Sequence, residues 1–165
     1  NWQVNDDLLV YGVSRRSFRS GGFNFFAPPL PGFGAQGGGG YDAETATDVE
    51  LGLKFKGEIG GVPTRLNVAG YTMWVDDIQR SNYVQIFGNL VGLTVNVPKA
   101  RIAGFELDGG ISPADWLNLG WAVNYTDAKF TDNQVSVPDN PAVGYGPYPD
   151  EPEWTGNLYA AVNVP

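Results

Sequence analysis

The chain has 165 residues, a formal net charge of −8 and neither cysteine nor histidine. That excludes a disulfide framework, thiolate zinc sites, Ser-His-Asp or Cys-His catalysis and HExxH metal sites, and the acidic balance argues against a nucleic-acid partner. With 23 glycines, 12 prolines and many aromatics but only 17% charged residues, the composition fits long strands separated by Gly/Pro-rich loops rather than helices. No apolar run is long enough for a transmembrane helix. The length suits one domain or a piece of a larger one. No signal peptide opens the chain, and Val164-Pro165 ends it in mid-pattern, so an internal or truncated piece is expected.

The first expected strand is Asp7 to Phe18, with Leu9, Tyr11 and Val13 on one face and Ser14 and Arg16 on the other; Leu8 and Val10 blur this division. Arg19 to Thr45 holds several Phe residues, three prolines and eight glycines and reads as a long loop. Ala46 to Glu58 alternates cleanly, with Val49, Leu51, Leu53 and Phe55 against Asp48, Glu50, Lys54 and Lys56. Ile59 to Pro63 is a short reversal. From Thr64 to Gln79 the apolar side starts at Leu66 and Val68 and then moves to Tyr71, Met73 and Val75. Either Gly70 marks a bulge or both faces are partly apolar, and the pattern leaves both open. Arg80 to Pro98 reads as a second long connection, whose pieces Tyr83–Phe87 and Leu93–Val97 can pair as a projecting hairpin.

Lys99 to Thr131 is the strongest signal. Ala103, Phe105, Leu107 and Ile111 alternate with Ile102, Glu106 and Asp108; then Leu117, Leu119, Trp121, Val123 and Tyr125 alternate with Asn118, Gly120 and Asn124. Ser112 to Trp116, with Pro113 and Asp115, supplies the turn. Asp132 to Pro152 is a third long loop, and Trp154 to Val164 a sixth strand. The expected fold is therefore all-β, an antiparallel up-and-down meander of about six long strands. Its connections run long, short, long, short, long, so the long ones share one end. The strands exceed the ~9–11 residues that cross a tilted barrel wall and the ~5–6 usual in soluble sheets. Trp74, Trp116, Tyr125, Phe130 and Trp154 lie near strand ends, where interfacial girdles belong.

Seven pieces in order carry a family resemblance: Tyr11 to Asn24 (YGVSRRSFRSGGFN), Glu44-Thr45, Val49 to Lys54 (VELGLK), Asp77-Ile78-Gln79, Lys99 to Leu107 (KARIAGFEL), Asn124 to Lys129 (NYTDAK) and Trp154 to Asn157 (WTGN). Together they resemble the C-terminal barrel portion of TonB-dependent outer-membrane receptors. The resemblance implies that residues 1–165 are an incomplete piece of a roughly 22-stranded transmembrane β-barrel, with the plug domain absent from the segment. It also implies location in the bacterial outer membrane. The implied activity is energised uptake of a scarce nutrient, such as a ferric siderophore or similar iron complex, through TonB. The implied partners are outer-membrane lipid and lipopolysaccharide, the protein's own plug, TonB by way of the N-terminal part, and the small-molecule nutrient. No enzyme activity, cofactor or resident metal is expected. The alternatives are a soluble all-β carbohydrate-binding module and a passive porin-like wall. A soluble module predicts shorter strands with the apolar face packed on a second sheet.

Candidate ligand contacts lie at the long-loop end and its rim. Arg15, Arg16 and Arg19 flank Phe18 where the first strand enters its loop; Arg forks suit carboxylate, phosphate or catecholate oxygens, although rim charges commonly just pair with neighbours. Arg80 starts the second connection. Phe23, Phe25, Phe26, Tyr41, Tyr83, Tyr145 and Tyr148 offer stacking faces for a ligand, or pack the loops on themselves. Glu50, Lys54, Glu106, Asp108, Asn118 and Asn124 are expected to face the lumen, either touching plug and substrate or forming a solvated inner wall. The carboxylates around Asp76-Asp77 and Asp127 lack calcium-loop spacing and suit turn capping better. Gly37 to Gly40 lacks the Lys-Ser/Thr of a phosphate loop and reads as flexible chain.

Overall fold

The computed structural model describes residues 1–25, 39–86, 89–132, 134–137, 140–144, 148 and 152–163. Its strands are β1 (Trp2–Gln3), β2 (Leu8–Arg19), β3 (Gly22–Phe23), β4 (Gly40–Tyr41), β5 (Glu44–Ile59), β6 (Val62–Ile86), β7 (Asn89–Ala114), β8 (Leu117–Asp132), β9 (Gln134–Val137), β10 (Asn140–Gly144) and β11 (Trp154–Val162). β1, β2, β5, β6, β7, β8 and β11 form one antiparallel meander in that spatial order, and β3–β4 and β9–β10 are small separate ribbons. The six expected long strands are all present. They form an open sheet, a piece of barrel wall rather than a closed body.

Two connections at the short-turn end are tight. Gly60 and Gly61 have φ of 61° and 81°. Positive φ at both central residues gives the hairpin twist that suits β5 and β6. Asp115 and Trp116 turn β7 into β8, with a register shift between Ile111 and Ala114 that absorbs Pro113.

Three points are sharpened. Arg80 to Pro98 is a projecting hairpin, as its β-rich pieces suggest, but a direct continuation of β6 and β7 rather than a long connection: the ladder runs on without a register slip to Ile86↔Asn89. The β-branched and aromatic residues there outweigh the polar ones. Asp77, at φ 55°, lies in line with Pro98, which has no N–H to donate, and the register continues on both sides of that rung. Asp132 to Pro152 contains the β9–β10 hairpin. Gly70 is not a bulge, because the registers on both sides of it are continuous; β6 is apolar on both faces for a reason given below.

Directly opposed residues share a face, so the registers define the two sides of the sheet. One side carries Leu8, Val10, Leu51, Leu53, Phe55, Leu66, Val68, Leu107, Leu119, Trp121, Val123 and Leu158. On that side Phe105, Tyr125 and Trp154 stack with centroids 4.8–5.9 Å apart. The other side carries Tyr11, Arg15, Glu50, Lys54, Asn67, Glu106, Asp108, Asn118 and Asn124. In β2 the register resolves the blurred pattern: Leu9, Tyr11 and Val13 lie with Arg15 on the polar side, and Leu8 and Val10 on the apolar one.

No second layer covers the apolar side among the described residues. Leu51 is 66% exposed and Leu158 85%. The buried residues gather instead at the long-loop end. Val75, Ile78, Val97 and Ala100 form a cluster with Ala46, Met73, Phe130 and Tyr148 packed against it. Ala46↔Val75↔Ala100↔Phe130 is one cross-strand row on the otherwise polar side. The neighbouring row on the apolar side is Arg16↔Thr47↔Trp74↔Arg101↔Lys129. The two faces exchange polarity at this height, which is why Tyr71, Met73 and Val75 break the alternation of β6. Phe130 consequently belongs to the inner cluster and not to an outward girdle.

Candidate functional site

The polar face is built from cross-strand pairs along the wall. Arg15 forks onto Asp48, with Nη2 to Oδ2 at 2.6 Å, and reaches Glu50 Oε2 at 2.7 Å. Tyr11 donates its hydroxyl to Glu50 Oε1 at 2.8 Å, and Lys54 Nζ sits 5.5 Å from the Tyr11 ring centroid. Asn67 donates to both oxygens of Asp108 at 2.9 and 3.2 Å. Tyr71 and Thr126 share a hydroxyl contact of 3.0 Å. Ser112 bonds Asn118 at 2.7 Å, and Asn124 bonds Thr155 at 3.2 Å. These groups satisfy one another across the strands. A shallow, open concavity of ≈ 530 Å³ lies at the short-turn end, between Lys56, Arg65, Ser112 and Asn118. It is a dish on an open sheet rather than an enclosed binding cavity.

The long-loop end is different: side-chain amides act there as surrogate backbone. Gln79 is buried; its N–H donates to Glu44 Oε2 at 2.8 Å and its Nε2 donates to the carbonyls of Ser20 (2.9 Å) and Asp42 (3.0 Å). Asn96 accepts from Asp42 N at 2.7 Å and donates to the carbonyls of Asp42 and Asp77 at 3.1 and 2.6 Å. Asn24 accepts from Thr94 N and donates to Thr94 O, both at 2.8 Å. Asn24 and Asn96 each use one donor and one acceptor side by side, as a peptide does, and Gln79 uses its amide N–H donors, so all three dock on main chain. The result clamps both ends of the first long loop to the β6–β7 rod. Beside this clamp the Arg80 guanidinium lies 5.2 Å from the Tyr148 ring centroid, and Tyr148 packs on Phe130 at 5.2 Å.

This combination is an antiparallel meander with one bare apolar face, an aromatic cluster at its border and long excursions at one end. The family model described as "TonB dependent receptor-like, beta-barrel" matches residues 1–163. The chain belongs to the TonB-dependent receptor β-barrel family. Among solved structures it is similar to the ferric yersiniabactin uptake receptor FyuA from Yersinia pestis (20% identity, 96% of this chain and 21% of that one, TM-score 0.65). It is also similar to the copper transporter OprC (20% identity, 78% of this chain and 19% of that one, TM-score 0.61). The chain thus spans about a fifth of the length of these receptors, and at such identity the likeness is one of fold. A comparison with curated proteins gave no match.

The barrel segment distributes the anticipated ligand contacts unevenly. Arg80 and Tyr148 meet. Arg19 lies on the polar face, opposite Glu44. Arg16 and Phe18 lie on the face of Leu8 and Val10, pointing away from Arg19, because β2 alternates through this stretch. Phe23 and Tyr41 lie against Gly39 and Gly22 within the β3–β4 ribbon, so these rings pack on their own loop. Phe25 and Tyr83 are exposed at 88% and 74%, and Tyr83 lies opposite Gly92. Phe26 and Tyr145 lie outside the described residues. The six residues expected to face the lumen, Glu50, Lys54, Glu106, Asp108, Asn118 and Asn124, share the polar side of the sheet. Among the described residues no group of metal ligands is assembled. The amide clamp was not anticipated. Two of the family-like pieces end on Asn24 and Gln79, but a lone amide in a polar run carries no pattern that marks it as a clamp.

Proposed function

We propose that this segment forms part of the wall and the ligand-capturing end of an outer-membrane receptor. The receptor imports a ferric siderophore or similar iron complex and is energised through TonB. The bare apolar face carries the membrane part of this reading. From Leu51 to Ile59 the apolar side of β5 spans about 27 Å at ~3.4 Å per residue. At a tilt near ~40° this gives about 21 Å, close to the ~25 Å apolar band of such barrels. Side chains such as Leu51 and Leu158 would be severe liabilities in water. The polar face, with Glu50, Lys54, Glu106, Asp108, Asn118 and Asn124, then lines the lumen around a plug contributed by the rest of the protein.

Capture belongs to the long-loop end, where Arg19, Phe25, Arg80, Tyr83 and Tyr148 supply cations and aromatic faces for an anionic, ring-bearing chelate. The two structural neighbours, a ferric yersiniabactin uptake receptor and a copper transporter, support a metal complex as cargo; a copper complex is the second reading. Plug rearrangement, driven by TonB from the periplasmic side, releases the cargo inward. The full-length receptor, expressed in a strain lacking its other iron-chelate receptors, is expected to import a radio-iron siderophore and to stop when TonB is deleted. Import of copper chelates alone moves the assignment to the second reading. Uptake of neither class, or uptake indifferent to TonB, overturns the proposal.

A further inference from the structure

Among the described residues, Asp77 is the only non-glycine with a positive φ, 55°. Such a left-handed value is uncommon in a strand, and aspartate and asparagine are the side chains that tolerate it. The β6–β7 register runs through this rung without a slip, from Asp76↔Lys99 to Ile78↔Val97, so no bulge is inserted. What changes is the parity of the faces. Below the rung, Tyr71, Met73 and Val75 share the side that is polar in the middle of the wall. Above it, Ile78 packs in one cluster with Val75 although they lie three residues apart, and Val97 does the same with Ala100 on the other strand. Arg80, in step with Ile78, meets Tyr148, which rests on Phe130, the partner of Ala100. Gln79 and Ser81 occupy the other face, where Gln79 reaches the carbonyls of Ser20 and Asp42 and Ser81 lies against Thr94. The faces of the rod are thus exchanged at one left-handed rung. Asn96 secures it by donating to the Asp77 carbonyl at 2.6 Å.

We propose that Asp77 is a positioning residue for cargo capture: its left-handed backbone sends Arg80 to the Tyr148 side of the rod and leaves Gln79 for the first loop. This rests on the reading of Arg80 and Tyr148 as capture residues. With ordinary strand alternation Arg80 would stand on the opposite face, and Ser81 would take its place beside Tyr148. Arg80 Nε is buried and has no hydrogen-bond partner among the described residues, so a guanidinium donor remains for an incoming anionic chelate. Backbone in a sparsely populated region persists where its surroundings over-determine it, and here they aim a binding side chain.

The test uses the full-length receptor with two cysteine pairs and a short bismaleimide cross-linker. With Asp77 in place, Arg80→Cys with Tyr148→Cys should cross-link and Ser81→Cys with Tyr148→Cys should not. Asp77→Val, whose branched side chain resists positive φ, should exchange the two results. Asp77→Gly and Asp77→Asn, which adopt positive φ, should leave them as they were. If Asp77→Val does not assemble, Asp77→Ala makes the same comparison. Loss of the first cross-link without gain of the second marks a purely structural role and overturns the proposal, as does a pattern that Asp77→Val leaves unchanged. With Arg80 and Tyr148 intact, Asp77→Val should raise the half-saturating concentration for import of a radio-iron catecholate about tenfold. The maximal rate should hold, and adding Arg80→Gln should raise the half-saturating concentration no further. Effects of the two substitutions that simply add overturn the proposal. Failure of the wild type to import the iron catecholate counts against the cargo reading, and the positioning role falls with it. A wild type that imports it, beside an Asp77→Val variant of equal half-saturation, removes the positioning role alone.

Discussion

The middle of the sheet and its long-loop end are built on opposite rules. In the middle, side chains such as Leu107 and Val123 face outward with no protein above them, and the inner face is an array of paired polar groups. At the long-loop end the charges, Arg16, Arg101 and Lys129, lie on the side that is apolar in the middle, and Val75, Val97 and Ala100 are buried together in one cluster. Val97 is fully buried, whereas most of Leu158 is bare. The same chain therefore follows two building rules. Its wall is ordered by backbone ladders, with its apolar side uncovered among the described residues, and its loop end is ordered by burial and amide hydrogen bonds.

The comparison can be broken most forcefully at Leu107. Leu107→Arg places a charge in the centre of the apolar band and is expected to cost about 2–4 kcal/mol in chemical unfolding from lipid vesicles. Glu106→Arg, one residue along on the polar side, should cost far less. Equal costs would mean that the two faces do not meet different solvents. At the other end, Val97→Ala removes two methyl groups from the buried cluster and should cost about 2 kcal/mol. That loss should show as faster limited proteolysis of the loop end, with the wall's unfolding midpoint little changed. A smaller effect, about 1–2 kcal/mol, is expected for Asn24→Ala, which leaves the Thr94 N–H and C=O without their side-chain partner. Hydrogen exchange at Thr94 should accelerate while the amides of Val68 and Leu107 stay protected.

The smallest effect is one of pH. Lys129, and after it Arg101, holds the Asp127 carboxyl below the usual carboxylate range; on the membrane reading proposed above, Asp127 lies past the aromatic cluster and outside the spanned stretch. A depressed folded-state value contributes stability that is present above the unfolded value of ~3.9 and is lost as pH falls through the folded one. The difference in unfolding midpoint between wild type and Asp127→Asn should therefore be constant at neutral pH and shrink below about pH 4. A difference that persists in acid would show that the pairing does not depend on ionised Asp127.

The wall was legible because its physics is periodic. Lys99 to Thr131 alternates with period two, and that alone placed Phe105, Leu107, Trp121 and Val123 together on one face. The two tight turns announced themselves through Gly60-Gly61 and Pro113-Asp115. The polarity exchange was visible only as a disturbance in β6, where a bulge at Gly70 and a covered inner face give the same pattern. Distinguishing them requires knowing that the two ends of the first loop dock on β6 at Gln79, a contact between residues far apart in the chain. The amide clamp was illegible for the same reason. Asn24, Gln79 and Asn96 act through the main chain they touch, and main chain leaves no mark in a sequence. Site residues suffered from parity: Arg16 and Arg19 looked like one basic cluster, yet three steps along a strand put them on opposite faces.

Several rungs of the wall pair an aromatic ring with a glycine directly across, among them Tyr11 over Gly52, Trp121 over Gly109 and Tyr159 over Gly120. The alternation of apolar and polar residues punishes a one-residue misalignment, because every side chain would change face. It is blind to a two-residue misalignment, which keeps every face correct. The glycine rungs are not blind to it. Shifted by two, Tyr11 would meet Glu50 or Lys54, Trp121 would meet Leu107 or Ile111, and Tyr159 would meet Asn118 or Ala122, none of which leaves room for a ring lying flat. These pairs act as keys cut to one notch, so that a strand arriving during assembly locks only at its proper offset.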